Sequence, residues 1–379
     1  MDVGGRIRRV NSDDLRGVTV SIKTKCTATA IGSLPYAEAA KAVDTVLASI
    51  PDAPIWPQLP RLGLNEQMEV QYSEGIPCVV VDQDKKRMYF QTDGDHSEAL
   101  ATFYEQYMAA MDPDSGNGDC SALAISPAYS QGFHAMESRL KSLNGASKRP
   151  FVKVQTTGPC SFALTIVDEN KRAIYYNDEF RDVVVKAMAM KCRWQIQRYK
   201  NFAQKVICFI DEPILSAFGS STYVSVQRED VVNILKEVID AVHAEGALAG
   251  IHCCGNTEWS ILIDAGVDIV NFDAFEYADT IAMYGDAVKK HLDRGGILAW
   301  GVVPTSVAIR NQSVESLIQK FEKGVDNLAA KAGIPKQQIV EQALVTPSCG
   351  TGSMAVEDAE KVFLLLGQLS KALKARYGF

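Results

Sequence analysis

The chain has 379 residues, 39 Lys and Arg against 46 Asp and Glu, a net charge of −7 and 47% hydrophobic residues. A charged fraction of 22% is too ordinary for a disordered polyelectrolyte, and the acidic balance offers no basic footprint for nucleic acid. No run of eighteen apolar residues exists to span a membrane, and the N-terminal MDVGGRIRRVNSDDLRG has no apolar core for a secretory signal. Nine cysteines, an odd number without such a signal, read as reduced thiols in a cytoplasmic protein.

Along the chain, short β-rich apolar runs alternate with amphipathic stretches. The runs fall at 28–31, 54–58, 151–156, 206–210, 247–252, 267–272, 296–300 and 343–345, mostly apolar on both faces as buried parallel strands are. Helical spacing of apolar residues predicts helices over 36–49, 97–111, 180–204, 228–244, 258–265, 278–292, 313–332 and 356–376. Eight strand–helix units predict an α/β protein, a (β/α)₈ TIM barrel forming one domain over residues 1–379. Residues 1–25 precede the barrel as an N-terminal extension. Residues from about 68 to 143 exceed one unit; they predict an insertion between strands 2 and 3, with a hairpin (78–81 against 88–90) and two helices covering the barrel mouth.

In such a barrel the chemistry gathers where strands end. The first run is followed by Gly32-Ser33, the fourth by Asp211-Glu212, the fifth ends at His252-Cys253-Cys254, the sixth at Asp273 and the eighth just before Cys349. In an extended segment His252 and Cys254 share a side while Cys253 points away. An imidazole and two thiols suit Zn²⁺, with a fourth position open or weakly held by Asp273. Such an electron-rich set favours an incoming thiol as nucleophile over a hydrolytic water. The remaining histidines, His96, His134, His243 and His291, read as surface or helix-end residues, and Cys120 as an exposed thiol in a polar stretch.

The ordered strand ends IGSLP (31–35), TTGPCS (156–161), IDEP (210–213), HCC (252–254), VDIVNFD (267–273) and TPSCG (346–350) resemble the C-terminal catalytic domain of cobalamin-independent methionine synthase. They also resemble the wider superfamily that includes uroporphyrinogen decarboxylase and corrinoid-linked methyltransferases. The resemblance implies His252, Cys254 and Cys349 as zinc ligands, with Asp273 in place of that family's Glu ligand. It implies Asp211 as the acid that holds the amine of a homocysteine-like acceptor, and Ser33 as the position that meets its carboxylate. Glu212 joins Asp211 as a catalytic acid, and Gly32 and Trp300, at neighbouring strand ends, join the substrate-contacting set.

Two departures shape the expected reaction. The family's second amine-binding Glu has no clean counterpart; the nearest candidates are Glu66 and Glu69. The seventh strand of methionine synthase ends in an Asp-x-His-Ser segment, whereas this chain reads GVVPTS over 301–306, with no acid. Expulsion of a folate amine needs a proton, and expulsion of Co(I) from a methylcorrinoid does not. The expected function is therefore a zinc-dependent methyltransferase using methylcobalamin, or a corrinoid on a partner protein, and a small thiol. One alternative is the half-reaction from a methylated substrate to a corrinoid protein. Another is a decarboxylase of the uroporphyrinogen type, for which only Arg61 represents the expected arginine-rich stretch.

Overall fold

The structure, a computed structural model, describes residues 22–111, 118–143 and 148–379; most of the N-terminal extension lies outside them. Among the described residues nine strands form: β1 (Thr27–Ala28), β2 (Val79–Asp82), β3 (Arg87–Phe90), β4 (Arg149–Thr157), β5 (Ala203–Asp211), β6 (Leu248–Cys253), β7 (Ile269–Phe272), β8 (Ile297–Val303) and β9 (Ala343–Pro347). Seven make one parallel sheet in the order β1-β9-β8-β7-β6-β5-β4. The sheet curls so that its inward positions meet. Ile31, Phe151, Ile207, Phe209, Ile269, Ile297 and Leu344 pack together inside the curl, and the larger core lies between its outer face and the helices.

The expected closed eight-strand barrel is not present. The run 54–58 adds no ladder strand; it makes isolated parallel bridges, Ser33 with Gln58 on one side and Ile55 with Lys153 on the other. The sequence PIWPQ gives the reason. Pro54 and Pro57 carry no N–H, so a two-sided ladder cannot run through them. The backbone bonds that do form use what is left, with Lys153 N–H donating to Pro54 O (2.8 Å) and Gln58 N–H to Gly32 O (2.9 Å). The architecture is a TIM-barrel-like half-barrel whose seam between β1 and β4 is spanned by an irregular segment.

Helices follow the strands, including Ala39–Ser49, Gln131–Ser142, Asp178–Tyr199, Arg228–Ala244, Val314–Ala332 and Val356–Tyr377. Their starts are set by local chemistry: Ser130, Asn177 and Ser313 accept backbone N–H groups as N-caps. Helix Gln131–Ser142 packs against Ala39–Ser49, and its Glu137 pairs with Arg198 of Asp178–Tyr199. It therefore occupies the place of the helix that follows the second run. Before it, β2 and β3 form an antiparallel hairpin. Lys191, wholly buried, fastens that insertion by donating to Glu74 O (2.6 Å) and Leu123 O (3.1 Å). Cys120, expected to be exposed, is fully buried. His291 lies in the last turn of helix Gly285–Asp293, a helix end as expected, and is fully buried there. No helix among the described residues is long and apolar enough to cross a membrane.

Candidate metal centre

Strand parity decides which side chains reach the interior. Inward positions are Lys153, Gln155 and Thr157 on β4, Phe209 and Asp211 on β5, Asn271 on β7 and Thr346 on β9, in the register Gln155–Phe209, Thr157–Asp211, Asp211–His252 and His252–Asn271. Apolar side chains fill the lower layers and polar ones the upper rim, where the strands end.

His252, Cys254 and Cys349 come together there. One ligand atom from each lies within 4.8 Å of the others, which could hold a metal ion. His252 is 3% exposed, and its Nε2 has no hydrogen-bond partner among the described residues. Its other nitrogen, Nδ1, lies 2.6 Å from Asn271 Oδ1. A buried nitrogen with a free lone pair beside two sulfurs fits a soft or borderline divalent ion. The two thiols share charge unequally. Cys254 is held well below the ordinary thiol range, first by a hydrogen bond with Cys349 and then by His252. Cys349 is pushed up by the same bond, by burial and by the charge on Cys254. Cys253 points the other way, into the core.

The cluster opens on a cavity of about 560 Å³, whose walls include Ser33, Arg61, Glu66, Met68 and Asp211. Asp211 is 5% exposed and its Oδ1 has no hydrogen-bond partner among the described residues, nor does the hydroxyl of its register neighbour Thr157. Burial raises the Asp211 pKa; Lys153 and His252 oppose that rise and Cys254 adds to it. Lys153 reaches up inside the curl to donate to Gln155 Oε1 (3.2 Å), 4.4 Å from the Phe209 ring centre. Burial lowers its pKa to about 8. Glu66 is a second buried acid on the wall. It is fixed by the Gln131 N–H (2.7 Å) and by Gln71 Nε2 (3.1 Å), and burial raises its pKa.

Several expected site residues have other roles. Asp273 is not in the ligand cluster; its Oδ1 accepts the N–H groups of Phe275 and Glu276 and caps the following turn. Glu212 is fully buried and turned from the cavity, its carboxylate accepting the Cys160 and Ser161 N–H groups and the Ser161 hydroxyl. It ties β5 to the first turn of helix Pro159–Thr165. Trp300 is 0% exposed on the outer face of β8, against Phe272 and Phe321. Gly32 serves close packing, because a Cβ there would overlap Gln58 Oε1 and lie 2.8 Å from Gln155 Nε2. Ser33 does line the cavity, and it also anchors the loop that carries Cys349. Gly352 N–H donates to its hydroxyl (3.2 Å), Thr351 N–H to its carbonyl (2.8 Å), and a Cβ on Gly350 would overlap that hydroxyl. Asn271 was missed in the sequence, although its inward parity two residues before Asp273 marks it as a neighbour of His252.

No protein-family model matches the chain, and no curated protein sequence matches it. Among solved structures it is similar to a Listeria monocytogenes protein crystallised under the provisional name vitamin-B12 independent methionine synthase. The TM-score is 0.53 and the identity 11%, covering 91% of this chain and 97% of that one. An identity that low carries the fold alone: the chain shares the α/β architecture of that structure.

Proposed function

We propose that the chain is a zinc-dependent methyltransferase that moves a methyl group from a methylcorrinoid to a small thiol held in this cavity. The observation that carries the reading is the meeting of His252, Cys254 and Cys349 at the wall of a cavity with a bare buried imidazole nitrogen. When bound there, zinc would act as a Lewis acid that favours the thiolate form of an incoming thiol. Asp211 and Glu66, two buried acids on the same wall, suit a cationic amine on that thiol, homocysteine being one such molecule. The unpartnered Oδ1 of Asp211 and hydroxyl of Thr157 are satisfied by such a group.

The donor follows from the β8 rim. Between Gly301 and Val314 the sequence holds no His, Asp or Glu, so no group there can protonate a leaving amine. With a methylcorrinoid as donor, the thiol would give up its proton to solvent as a thiolate, its sulfur would bond to the methyl carbon, and the carbon–cobalt bond pair would leave with cobalt, so no acid on this rim would be needed. The test uses purified protein with zinc quantified, methylcobalamin or methyltetrahydrofolate as donor, and a panel of small thiols. Thiol-dependent demethylation of methylcobalamin that is lost in His252→Ala supports the reading. Methylation from methyltetrahydrofolate alone refutes the donor, and a protein that holds no zinc after loading refutes the centre.

A further inference from the structure

His252 is steered from a neighbouring strand. The amide of Asn271 is oriented by its surroundings: Nδ2 lies 2.9 Å from Ala299 O and 2.9 Å from Thr346 Oγ1. A carbonyl can only accept, so the amide nitrogen with its two N–H groups belongs on that side. The flipped amide would set two oxygens against each other at Ala299. Oδ1 therefore faces the imidazole and can only accept, so His252 Nδ1 carries the proton. Nε2 is left as the ring's one donor atom for a metal.

The same amide crosses the interior from strand to strand. His252 stands on β6, Asn271 on β7, Ala299 on β8 and Thr346 on β9, three residues before Cys349. Asn271 and Thr346 are fully buried, so water does not compete for these bonds. One side chain thus ties the strand bearing His252 to the strand that leads to Cys349.

We propose that Asn271, acting through Thr346, is a positioning residue that sets the tautomer and orientation of His252 and holds the β6 and β9 donors in register for a divalent ion. The proposal rests on the metal-ligand reading of the three residues and is independent of the methyl donor and of the thiol. Asn271→Leu removes the acceptor and donor while keeping the same branched four-atom skeleton. Asn271→Asp keeps an acceptor for Nδ1–H, and Thr346→Val removes only the anchor.

Zinc affinity is measured by competition with a chromophoric chelator, and the ligand field by the visible spectrum of the Co(II)-loaded protein. Melting of each metal-free variant reports folding. Asn271→Leu is expected to weaken zinc by about 10–100-fold and to alter the Co(II) bands. Asn271→Asp keeps the acceptor for Nδ1–H but sets an oxygen against Ala299 O, so it should fall in between, as should Thr346→Val. Wild-type affinity and an unchanged Co(II) spectrum in Asn271→Leu would overturn the proposal. If Asn271→Leu does not fold, the affinity of Thr346→Val decides: weakened supports the tie, unchanged refutes it. His252→Ala separates the two levels. Unaltered affinity there refutes the metal reading itself, whereas loss there with none in Asn271→Leu refutes only the positioning.

Discussion

Cys349→Ala offers the sharpest perturbation of the candidate centre, because the chain supplies its own control. Cys349 belongs to the cluster that could hold a metal, whereas Cys253, one residue from Cys254, is buried on the opposite side of its strand. Apparent zinc-binding free energies in protein sites are about 10–16 kcal/mol, so an equal share for one of three donors is about 3–5 kcal/mol. Removal of one thiolate should then raise the Kd by about 10²–10⁴-fold. With free zinc at about 100 times the wild-type Kd, binding stabilises the native protein by about 2.7 kcal/mol, and the variant loses nearly all of it. Chelator competition gives the affinity, and melting with and without zinc gives the linked stability. Cys253→Ala should cost only a small core truncation, about 1 kcal/mol, with affinity intact. Undiminished zinc affinity in Cys349→Ala, or its loss in Cys253→Ala, would refute the ligand assignment.

Other residues test the corrected roles. Trp300→Ala should cost about 3–5 kcal/mol in denaturant unfolding, because the ring fills the layer between β8 and helix Val314–Ala332; Trp300→Phe should leave the Km for a thiol unchanged. Glu212→Ala leaves the N–H groups of Cys160 and Ser161 unpaired and should cost about 1–3 kcal/mol in the same measurement, with zinc affinity preserved. His291 is held neutral by burial and by the nearby charge of Arg294, against the opposing pull of its hydrogen bond to Ile297 O (3.2 Å), and its pKa falls from 6.5 to about 4. The unfolded chain takes up that proton first as pH falls. The stability contributed by the neutral ring is therefore whole above pH 6.5 and is lost toward about 4, by about 3 kcal/mol. Urea midpoints across that window should decline in the wild type and flatten in His291→Asn.

What was legible in the sequence followed from periodicity, and what was hidden followed from partners. Seven of the eight expected runs became ladder strands because both their faces are apolar. The run 54–58 did not, because two prolines removed donors that apolarity alone does not count. The H-x-C spacing placed His252 and Cys254 on one side correctly, and the rim position of Cys349 brought it to them. The same two-residue alternation, carried through β7 and β8, puts Asn271 inside and Trp300 outside. Asp273 and Glu212 could not be assigned from residue type, since a strand-end acid serves a ligand or a backbone turn equally well. Here nearby N–H groups at Phe275, Glu276, Cys160 and Ser161 took their oxygens. Glu66 lies in an irregular stretch where no periodic rule applies, and only packing against Gln71 and Gln131 turned it inward.

The placement of the donors on β6 and just beyond β9 governs when an ion can be captured during biosynthesis. A ribosome-bound chain that has made β6 offers only a histidine and a cysteine, a pair with weak hold. The second sulfur, the third donor, arrives once the strand beside β1 has docked and the curl is complete. Tight uptake of an ion by this cluster would thus report that the newest part of the polypeptide has found its place, and truncated products would be left without it.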